Sequence, residues 1–203
     1  GYSERLAKKV AEIRKANRVC VTLGGDHSIA IGTIVGHSST LPDDHQVTVL
    51  WVDAHADLNV GSSSSTGNMH GMSVGFLLRS LQHNTLQSGF PESCLGNEHI
   101  AYIGLRDLDR KELDFINKLG IQAYFMKDVD RLGITEVVAR CLDHLQPRKQ
   151  RPLHLSYDID SIDPVVAPAT GTPVCGGLTM REGCTIVEAA RATGHLAAMD
   201  LVE

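Results

Sequence analysis

The fold of this 203-residue chain is decided by the stretch Val47-Thr48-Val49-Leu50-Trp51-Val52-Asp53-Ala54-His55-Ala56-Asp57. Its first six residues are mostly apolar or β-branched, which predicts a buried β-strand. Asp53, His55 and Asp57 follow at every second position, and because a strand has a period of two, their side chains point to one side. The stretch therefore predicts a buried strand that ends in a cluster of carboxylate and imidazole groups.

Two other apolar runs end in the same kind of cluster. Residues 152–157 are followed by Asp158 and Asp160, and residues 19–23 are followed by Gly24-Gly25-Asp26-His27. Clustered like charges at the end of a buried strand are costly unless a cation neutralises them. Because functional sites form at the carboxyl ends of parallel strands, the three clusters together indicate a site for a hard metal ion.

Predicted strands alternate with predicted helices along the chain. Periodic apolar residues and capping signals predict helices over residues 3–17, 29–37, 110–118, 134–145 and 180–193, and one more from the loop 59–68 to about residue 80. Strands are expected over residues 19–23, 47–52, 99–105, 121–125, 152–157 and 196–202, the first of them buried. This alternation predicts an α/β fold with three layers, α/β/α, around a central, mostly parallel sheet.

Size and composition are typical of one globular domain. With 42% hydrophobic and 21% charged residues, the chain can form one sizeable core. The net charge of -5 gives no electrostatic basis for binding nucleic acid or an anionic membrane. No apolar run approaches the roughly 18–20 residues of a membrane span. Five cysteines without a Cys-x-x-Cys pair indicate free thiols in a reducing, intracellular setting. The first and last residues, Gly1 and Glu203, predict a fragment whose fold is incomplete at both ends.

Six side chains at the three strand ends are candidate metal ligands: His27, Asp53, His55, Asp57, Asp158 and Asp160. The four carboxylates in this set would be balanced by two divalent cations, which favours a two-metal cluster over a single ion. Carboxylate and imidazole ligands without thiolate suit Mn²⁺, with Fe, Co or Ni as alternatives. Zinc is less favoured because the set exceeds a four-ligand site. Asp26 and Asp163 are better placed to fix loops than to bind a metal.

At these residues the chain resembles the ureohydrolase family, and within it most closely the arginases. The similarity covers nearly the whole chain, in one order and spacing. It is carried by the motifs Gly24-Gly25-Asp26-His27-Ser28, Asp53-Ala54-His55-Ala56-Asp57-Leu58-Asn59, Gly67-Asn68-Met69-His70-Gly71, Ser156-Tyr157-Asp158-Ile159-Asp160-Ser161-Ile162-Asp163-Pro164 and Gly171-Thr172-Pro173. The resemblance implies one catalytic domain over residues 1–203 with an arginase/deacetylase-like fold. It also implies that a hydroxide bridging two Mn²⁺ ions hydrolyses a guanidinium group to urea and an amine.

The resemblance further implies a role for each matching residue. One ion would be held by His27, Asp53, Asp57 and Asp158, and the other by Asp53, His55, Asp158 and Asp160. Asp57 would accept the proton of the hydroxide and pass it to the leaving amine, and His70 would act as a proton shuttle or general acid. Glu203 and Thr172 would hold the guanidinium group.

Two polar sets bear on the choice of substrate. The resemblance assigns Asn59 and Thr66 to the α-carboxylate of an amino acid, and Asp109 and Glu112 to its α-amino group. A site that hydrogen-bonds these groups rejects analogues lacking them by as much as ~10⁴. The sequence therefore favours L-arginine, with agmatine or another guanidino acid as the alternative. Asp109 and Glu112 are also open to a plainer interpretation, as a helix cap and a first-turn acid.

The sequence also allows predictions about the assembly of the protein, its compartment and an alternative function. Arg181, with Asp130 as its partner, matches an intersubunit ion-pair region of trimeric arginases, which predicts a homotrimer. An intracellular location is expected, with the cytoplasm and the mitochondrion equally open. The alternative of another class is a fragment with a frayed Glu203 that binds metal but is catalytically silent.

Overall fold

The computed structural model describes residues 1–42, 46–82, 91–146 and 151–203, and in this part of the chain six strands alternate with seven helices. The strands are β1 (Cys20–Leu23), β2 (Thr48–Val52), β3 (Ile100–Leu105), β4 (Gln122–Phe125), β5 (Leu153–Asp158) and β6 (Leu196–Val202). The helices are α1 (Tyr2–Lys15), α2 (Ala30–Ser38), α3 (Ser73–Leu77), α4 (Arg110–Leu119), α5 (Met126–Leu132), α6 (Ile134–Leu145) and α7 (Met180–Ala192).

All six strands form one parallel sheet in the order β1-β6-β5-β2-β3-β4. After β2 the chain continues to β3 on one side, whereas after β5 it continues to β6 on the other side. The boundary between β2 and β5 is therefore the switch point of the sheet, where a crevice opens at the carboxyl ends of the strands. Asp53 directly follows β2, and Asp158 is the last residue of β5, so both side chains lie at this crevice.

Two apolar clusters cover the two faces of the sheet. Val49 and Trp51 of β2 pack with residues of α2, α3 and α4 on one face. Leu50 and Val52 of the same strand pack with residues of α5, α6 and α7 on the opposite face. Because successive side chains of a strand alternate between faces, a fully apolar strand supplies both clusters. The predicted three-layer α/β/α fold with its parallel sheet is confirmed.

Several predicted elements differ in extent from those observed. The predicted helix that ends near residue 80 is only α3, flanked by 3-10 turns at His70–Met72 and Arg79–Leu81. The predicted helix 29–37 is preceded by a 3-10 turn at His27–Ile29, whose N-cap Asp26 accepts a hydrogen bond from the backbone of Ser28. Helix α5, which follows β4 directly, was not predicted. The remaining boundaries shift by one or two residues, and α6 and β6 have the predicted bounds.

The prediction of a buried first strand was wrong. Strand β1 pairs only with β6 among the described strands, and it lies at the edge of the sheet. Val21 and Leu23 are exposed, while Cys20 is buried beneath α1. An apolar run predicts a strand but carries no information about the position of that strand in the sheet order. Among the described helices, none has the length and apolar character needed to cross a lipid bilayer.

Candidate metal centre

A cavity of about 520 Å³ opens at the carboxyl ends of the strands. Every residue that the sequence predicted for the site lines it: His27, Asp53, His55, Asp57, Asn59, Thr66, His70, Asp109, Glu112, Asp158, Asp160, Thr172 and Glu203. They come from loops that follow five of the six strands, which explains how residues far apart in the sequence meet. Their meeting in one cavity is the central observation about the site.

The first group of possible ligands surrounds the imidazole of His27. Its Nδ1 lies 2.9 Å from Asp53 Oδ2, 3.3 Å from Asp158 Oδ2 and 3.5 Å from Asp57 Oδ2. One ligand atom each from His27, Asp53 and Asp158 lies within 4.8 Å of the others, and all three residues are buried. These three side chains could hold a metal ion, with Asp57 beside them.

The second group surrounds the imidazole of His55. Its Nδ1 lies 3.1 Å from Asp160 Oδ2 and 3.4 Å from Asp53 Oδ1. His55, Asp53 and Asp160 again place one ligand atom each within 4.8 Å of the others. Asp53 belongs to both groups and presents a different oxygen to each histidine. The two groups therefore form one cluster joined by the Asp53 carboxylate.

Asp57 carries signs of strain and of an unsatisfied charge. Its backbone has a φ of 50°, in the left-handed region that few non-glycine residues adopt. Its Oδ2 is buried and has no hydrogen-bond partner. Burial raises the pKa of the Asp57 carboxyl well above its usual range, and the neighbouring Asp53 charge raises it further. A cation next to this oxygen would offset both the burial of its charge and the repulsion by Asp53.

The carboxylates also dominate the protonation of the imidazoles. Burial opposes charge on His55, yet the contacts with Asp160 and Asp53 raise its pKa to about 11. The pKa of His27 is likewise raised, because Asp158 and Asp53 outweigh its complete burial. Burial raises the pKa of Asp160 to about 6. These shifts indicate a strongly negative potential in the cavity, to which positive charge is attracted.

The donor set fits hard or borderline divalent cations. It consists of carboxylate oxygens and imidazole nitrogens without thiolate, and it exceeds what a single tetrahedral ion would use. The orphaned Oδ2 of Asp57 offers a further oxygen.

Beneath the cluster, residues that the sequence analysis did not single out support the ligands. The indole of Trp51 stacks on His27 at 3.8 Å between ring centroids, and its Nε1 donates to Asp53 Oδ2 at 2.9 Å. On the far side of His27, Nε2 lies 2.8 Å from the hydroxyl of Ser156, which lies 3.5 Å from the buried carboxylate of Asp200. Such partners orient metal ligands. Trp51 and Ser156 lie two residues before the predicted ligands Asp53 and Asp158. Because a strand has a period of two, this spacing could have predicted that they lie on the same side as the ligands.

Asn59, Asp109 and Glu112, three of the four residues predicted to read the α-amino and α-carboxylate groups, are joined by hydrogen bonds. Asn59 Nδ2 donates to Asp109 Oδ2 at 3.0 Å, and Asn59 Oδ1 accepts from the Ser63 hydroxyl at 2.7 Å. Glu112 is buried, and its carboxylate accepts from the backbone of Leu58 at 3.0 Å and of Asp109 at 2.9 Å. Asp109 and Glu112 thus form a capping box at the start of α4. The plainer interpretation of Glu112 as a first-turn acid agrees with this geometry.

Thr172 and Glu203 line the same cavity and are held there by separate hydrogen bonds. The Thr172 hydroxyl donates to Asp160 Oδ2 at 3.2 Å, and Glu203 Oε2 accepts from the backbone N–H of Gly171 at 2.7 Å. The backbone of Glu203 also donates to Gly25 O, so this residue is tied to the structure. His70 begins a 3-10 turn at the cavity rim. Thr66, in the loop that precedes it, is exposed.

Comparisons with known proteins identify the family of this chain. The family model described as "Arginase family" matches residues 2–203. Hepatic arginase of Aquarana catesbeiana is 50% identical over 99% of this chain and 62% of its own length. Human mitochondrial arginase-2 is 51% identical over 99% of this chain and 57% of its own length. The chain thus spans about three fifths of the length of these curated relatives.

A solved structure extends the similarity to three dimensions. Entamoeba histolytica arginase, determined in complex with L-ornithine, superposes with a TM-score of 0.90 at 31% sequence identity, covering 99% of this chain and 67% of that one. Sequence, sheet order and the Asp/His cluster at the switch point therefore agree with one another. This chain belongs to the arginase family, whose members are metal-dependent hydrolases.

Proposed function

We propose that the protein hydrolyses the guanidinium group of L-arginine to L-ornithine and urea, with residues 1–203 acting as one catalytic domain. The observation that carries this proposal is the pair of Asp/His groups that share Asp53, in a cavity that also contains both polar sets for an amino acid. Relatives at about half sequence identity are named arginases, which supports the same activity here.

Two Mn²⁺ ions per chain are part of this proposal. One would be held by His27, Asp53, Asp57 and Asp158, and the other by Asp53, His55, Asp158 and Asp160. When bound, the ions would supply a hydroxide near neutral pH by lowering the pKa of water. Asp53 already faces both histidines, which supports a bridging role for its carboxylate.

The polar groups of the chain suit a planar cation beside the metal ligands. Glu203 carries a carboxylate at the cavity wall, next to the Thr172 hydroxyl, and together they would hold the guanidinium group in one orientation. Holding the reacting carbon in place lowers the entropic part of the barrier. Asp57 Oδ2, which accepts no hydrogen bond from the described residues, would accept a proton and return it to the leaving amine, while His70 would exchange protons with solvent.

Selectivity for an α-amino acid would come from the rim opposite Glu203. The Asp109 carboxylate, which accepts a hydrogen bond from Asn59, would accept a second one from the α-ammonium group, and Glu112 would hold the backbone of Asp109 in place. Asn59 and Thr66 would contact the α-carboxylate. Because agmatine has no α-carboxylate, it would leave these polar groups unpaired, which disfavours its binding.

The test is urea release from L-arginine and from agmatine, measured side by side with Mn²⁺ on the natural full-length protein. We expect a strong preference for L-arginine. The variant Asn59→Ala should lose most of this preference, because Asn59 would contact the α-carboxylate that agmatine lacks, and the exposed control Asp114→Ala should keep it. Faster turnover of agmatine would overturn the substrate assignment, and turnover of neither substrate by a protein that binds two metal ions would overturn the proposed activity.

A homotrimer and an intracellular location, cytoplasmic or mitochondrial, are further parts of the proposal. Arg181 and Asp130 are exposed and available for contacts between subunits. Exposed ion pairs contribute little stability, so their role would be to choose the partner surface. Sedimentation at equilibrium measures the assembly, and a monomer at micromolar concentration would contradict it. Subcellular fractionation distinguishes the compartments.

A further inference from the structure

Arg106 has an unusual set of hydrogen-bond partners. It directly follows β3, its guanidinium is partly buried, and it donates only to backbone carbonyl oxygens. Nη2 donates to Asp160 O and Val174 O, both at 2.7 Å, and Nη1 donates to Ser161 O at 3.2 Å and Gly104 O at 3.3 Å. Nε donates to Val174 O at 3.2 Å. Four carbonyl groups thus share one cation.

These carbonyl groups belong to three separate segments. Gly104 lies in β3, Asp160 and Ser161 lie in the turn that carries a candidate metal ligand, and Val174 lies in the long loop that ends before α7. Among the described residues, the Arg106 guanidinium donates hydrogen bonds to all three segments. A planar fork of five N–H donors can do this, whereas a lysine ammonium has only three donors on a single atom.

The loop at Val174 carries the substrate wall of the cavity. Two residues before Val174, the Thr172 hydroxyl donates to Asp160, and Gly171 N–H donates to Glu203. The base of the same loop is closed by Asp163, whose Oδ2 accepts from Gly176 N at 2.8 Å and from Gly177 N at 3.0 Å. Between Thr172 and Gly176, the loop is joined to the turn at Asp160 by the side chain of Arg106, which donates to both Val174 O and Asp160 O.

Gly177 makes room for this arrangement. A Cβ atom on Gly177 would lie 2.7 Å from Arg106 Nη2, 2.6 Å from Asp163 N and 2.8 Å from the carbonyl carbon of Ile162. No side chain fits there without moving the backbone or the guanidinium. The loop therefore approaches Arg106 more closely than any residue other than glycine allows.

We propose that Arg106 is a positioning residue, which holds the loop 171–178 against the Asp160 turn and so sets the distance between Thr172, Glu203 and the metal ligands. The proposal rests on the proposed function for its kinetic consequence, but the holding of the loop does not depend on it. Arg106 itself does not contact the substrate; it acts through the loop. Removing it takes away the donor that four carbonyl groups share, of which Ser161 O keeps the backbone N–H of Leu178. The loop between Thr172 and Gly176 then loses its hydrogen bonds to the guanidinium and is held less firmly against the turn.

Hydrogen exchange tests the holding of the loop without reference to activity. In Arg106→Ala, amide exchange in peptides covering residues 171–178 should accelerate by at least about tenfold, since local opening becomes easier. In Arg106→Lys the exchange rate should lie between those of Arg106→Ala and the unchanged protein. Arg140→Ala, which removes an exposed arginine paired with Glu136, should exchange at the rate of the unchanged protein. Equal protection of the loop in Arg106→Ala and the unchanged protein would overturn the proposal.

Steady-state kinetics on the Mn²⁺-loaded protein tests the consequence for the site. For Arg106→Ala we expect kcat to fall and KM for L-arginine to rise, each by about tenfold, because a displaced Thr172 weakens both binding and orientation. A merely structural defect lowers the active fraction, and with it kcat, but leaves KM unchanged. An unchanged KM would therefore contradict the positioning role.

Gly177→Ala keeps the test decisive if Arg106→Ala does not fold. It retains the guanidinium, but its Cβ would clash with Arg106 Nη2 and with the backbone of Asp163 and Ile162, so the loop must move away from Arg106. It should therefore reproduce the faster exchange and the raised KM. Normal kinetics and normal exchange in a folded Gly177→Ala would overturn the proposal. If the unchanged protein does not hydrolyse L-arginine, the proposed function fails, while the exchange experiment still decides the role of Arg106.

Discussion

At the scale of single residues, Asp53 has the most consequential position in the cluster. It lies at the sheet's switch point, it accepts from the Trp51 indole, and it faces both His27 and His55. The Trp51 bond and the contact with the His55 backbone, 2.7 Å from Oδ1, fix the orientation of both oxygens. A carboxylate that is held in this way is preorganised to serve two cations.

Asp53→Asn should therefore lose metal from both groups. Asparagine keeps the shape of the side chain but removes its charge, which weakens every contact with a cation. We expect at least one fewer Mn²⁺ per chain after dialysis, measured by elemental analysis. Asp114→Asn is the matched control, because Asp114 is exposed and lies outside the cavity lining. Equal metal content in the two variants would contradict the role of Asp53.

His37 lies outside the metal cluster and predicts a pH dependence of stability. It is buried, its Nδ1 lies 3.3 Å from His154 Nδ1, and burial, aided by His154, lowers its pKa to about 2. In the unfolded chain the value returns to 6.5. Below pH 6.5 the unfolded chain therefore binds a proton that the folded chain does not, so stability falls with falling pH towards pH 2.

Between pH 7 and pH 5, His37 should contribute a loss of about 2 kcal/mol to the free energy of unfolding. Urea denaturation in EDTA measures this quantity without a contribution from metal release. In His37→Gln the pH dependence should be smaller by that amount, whereas His195→Gln, at a partly exposed position, should keep it. The same pH dependence in His37→Gln and the unchanged protein would argue against the shifted pKa.

At the scale of elements, the close approach of α1 and α2 depends on glycine. A Cβ on Gly36 would meet the carbonyl oxygen of Ala7 and would lie 2.8 Å from its Cα. On Gly32 it would lie 2.8 Å from Ser3 O and 3.1 Å from the side chain of Leu6. The obstacle at Gly36 is mid-helix backbone, whereas at Gly32 it is the first turn of α1 and a flexible side chain.

Gly36→Ala should lower the free energy of unfolding by about 1–3 kcal/mol, because overpacking outweighs the gain in helix propensity of about 1 kcal/mol. Gly32→Ala should cost less, since the first turn of α1 and Leu6 can move. Thermal and urea denaturation of both variants measure the difference. If Gly36→Ala is neutral or stabilising, helix propensity dominates and the packing argument fails.

The elements that could be predicted from the sequence are those with strong periodicity or clear end signals. Helix α7 follows a capping box between Thr179 and Glu182, and its predicted start agrees with the structure. Helix α5 could not be predicted, because it has seven residues and buries only Val129. The edge position of β1 could not be predicted either, since strand order is set by contacts between distant segments rather than by the strand's own residues.

At the scale of the whole molecule, the sequence predicted which residues meet but not how they contact one another. Like charges at three strand ends indicate a shared cation, so the composition of the cluster follows from the chain. The bond between Asn59 and Asp109 could not be foreseen, because it joins a loop after β2 to the start of α4. The contacts of Arg106 could not be predicted for the same reason. Its partners are backbone groups from three segments, and such partners leave no pattern of side chains in the sequence.

The cluster also links metal binding to the stability of the whole fold. Ligands come from the ends of β2 and β5 and from the turn after β1, so the site exists only when the sheet is assembled. Ions that bind the folded chain alone stabilise it, by about 2.7 kcal/mol at a concentration 100 times the dissociation constant. For a chain of this size that corresponds to a rise in Tm of roughly 5–10 °C.

Thermal unfolding at increasing Mn²⁺ concentration should therefore give a Tm that rises with the logarithm of the concentration. Mg²⁺ should have a smaller effect, because it avoids imidazole ligands. In Asp53→Asn most of the Mn²⁺-dependent rise should disappear, whereas the exposed control Asp114→Asn should retain it. A Tm that does not respond to Mn²⁺, or that responds equally to Mg²⁺, would contradict this. The negative charge of the buried carboxylates would then be balanced by protonated His27 and His55, whose pKa values are raised, rather than by metal.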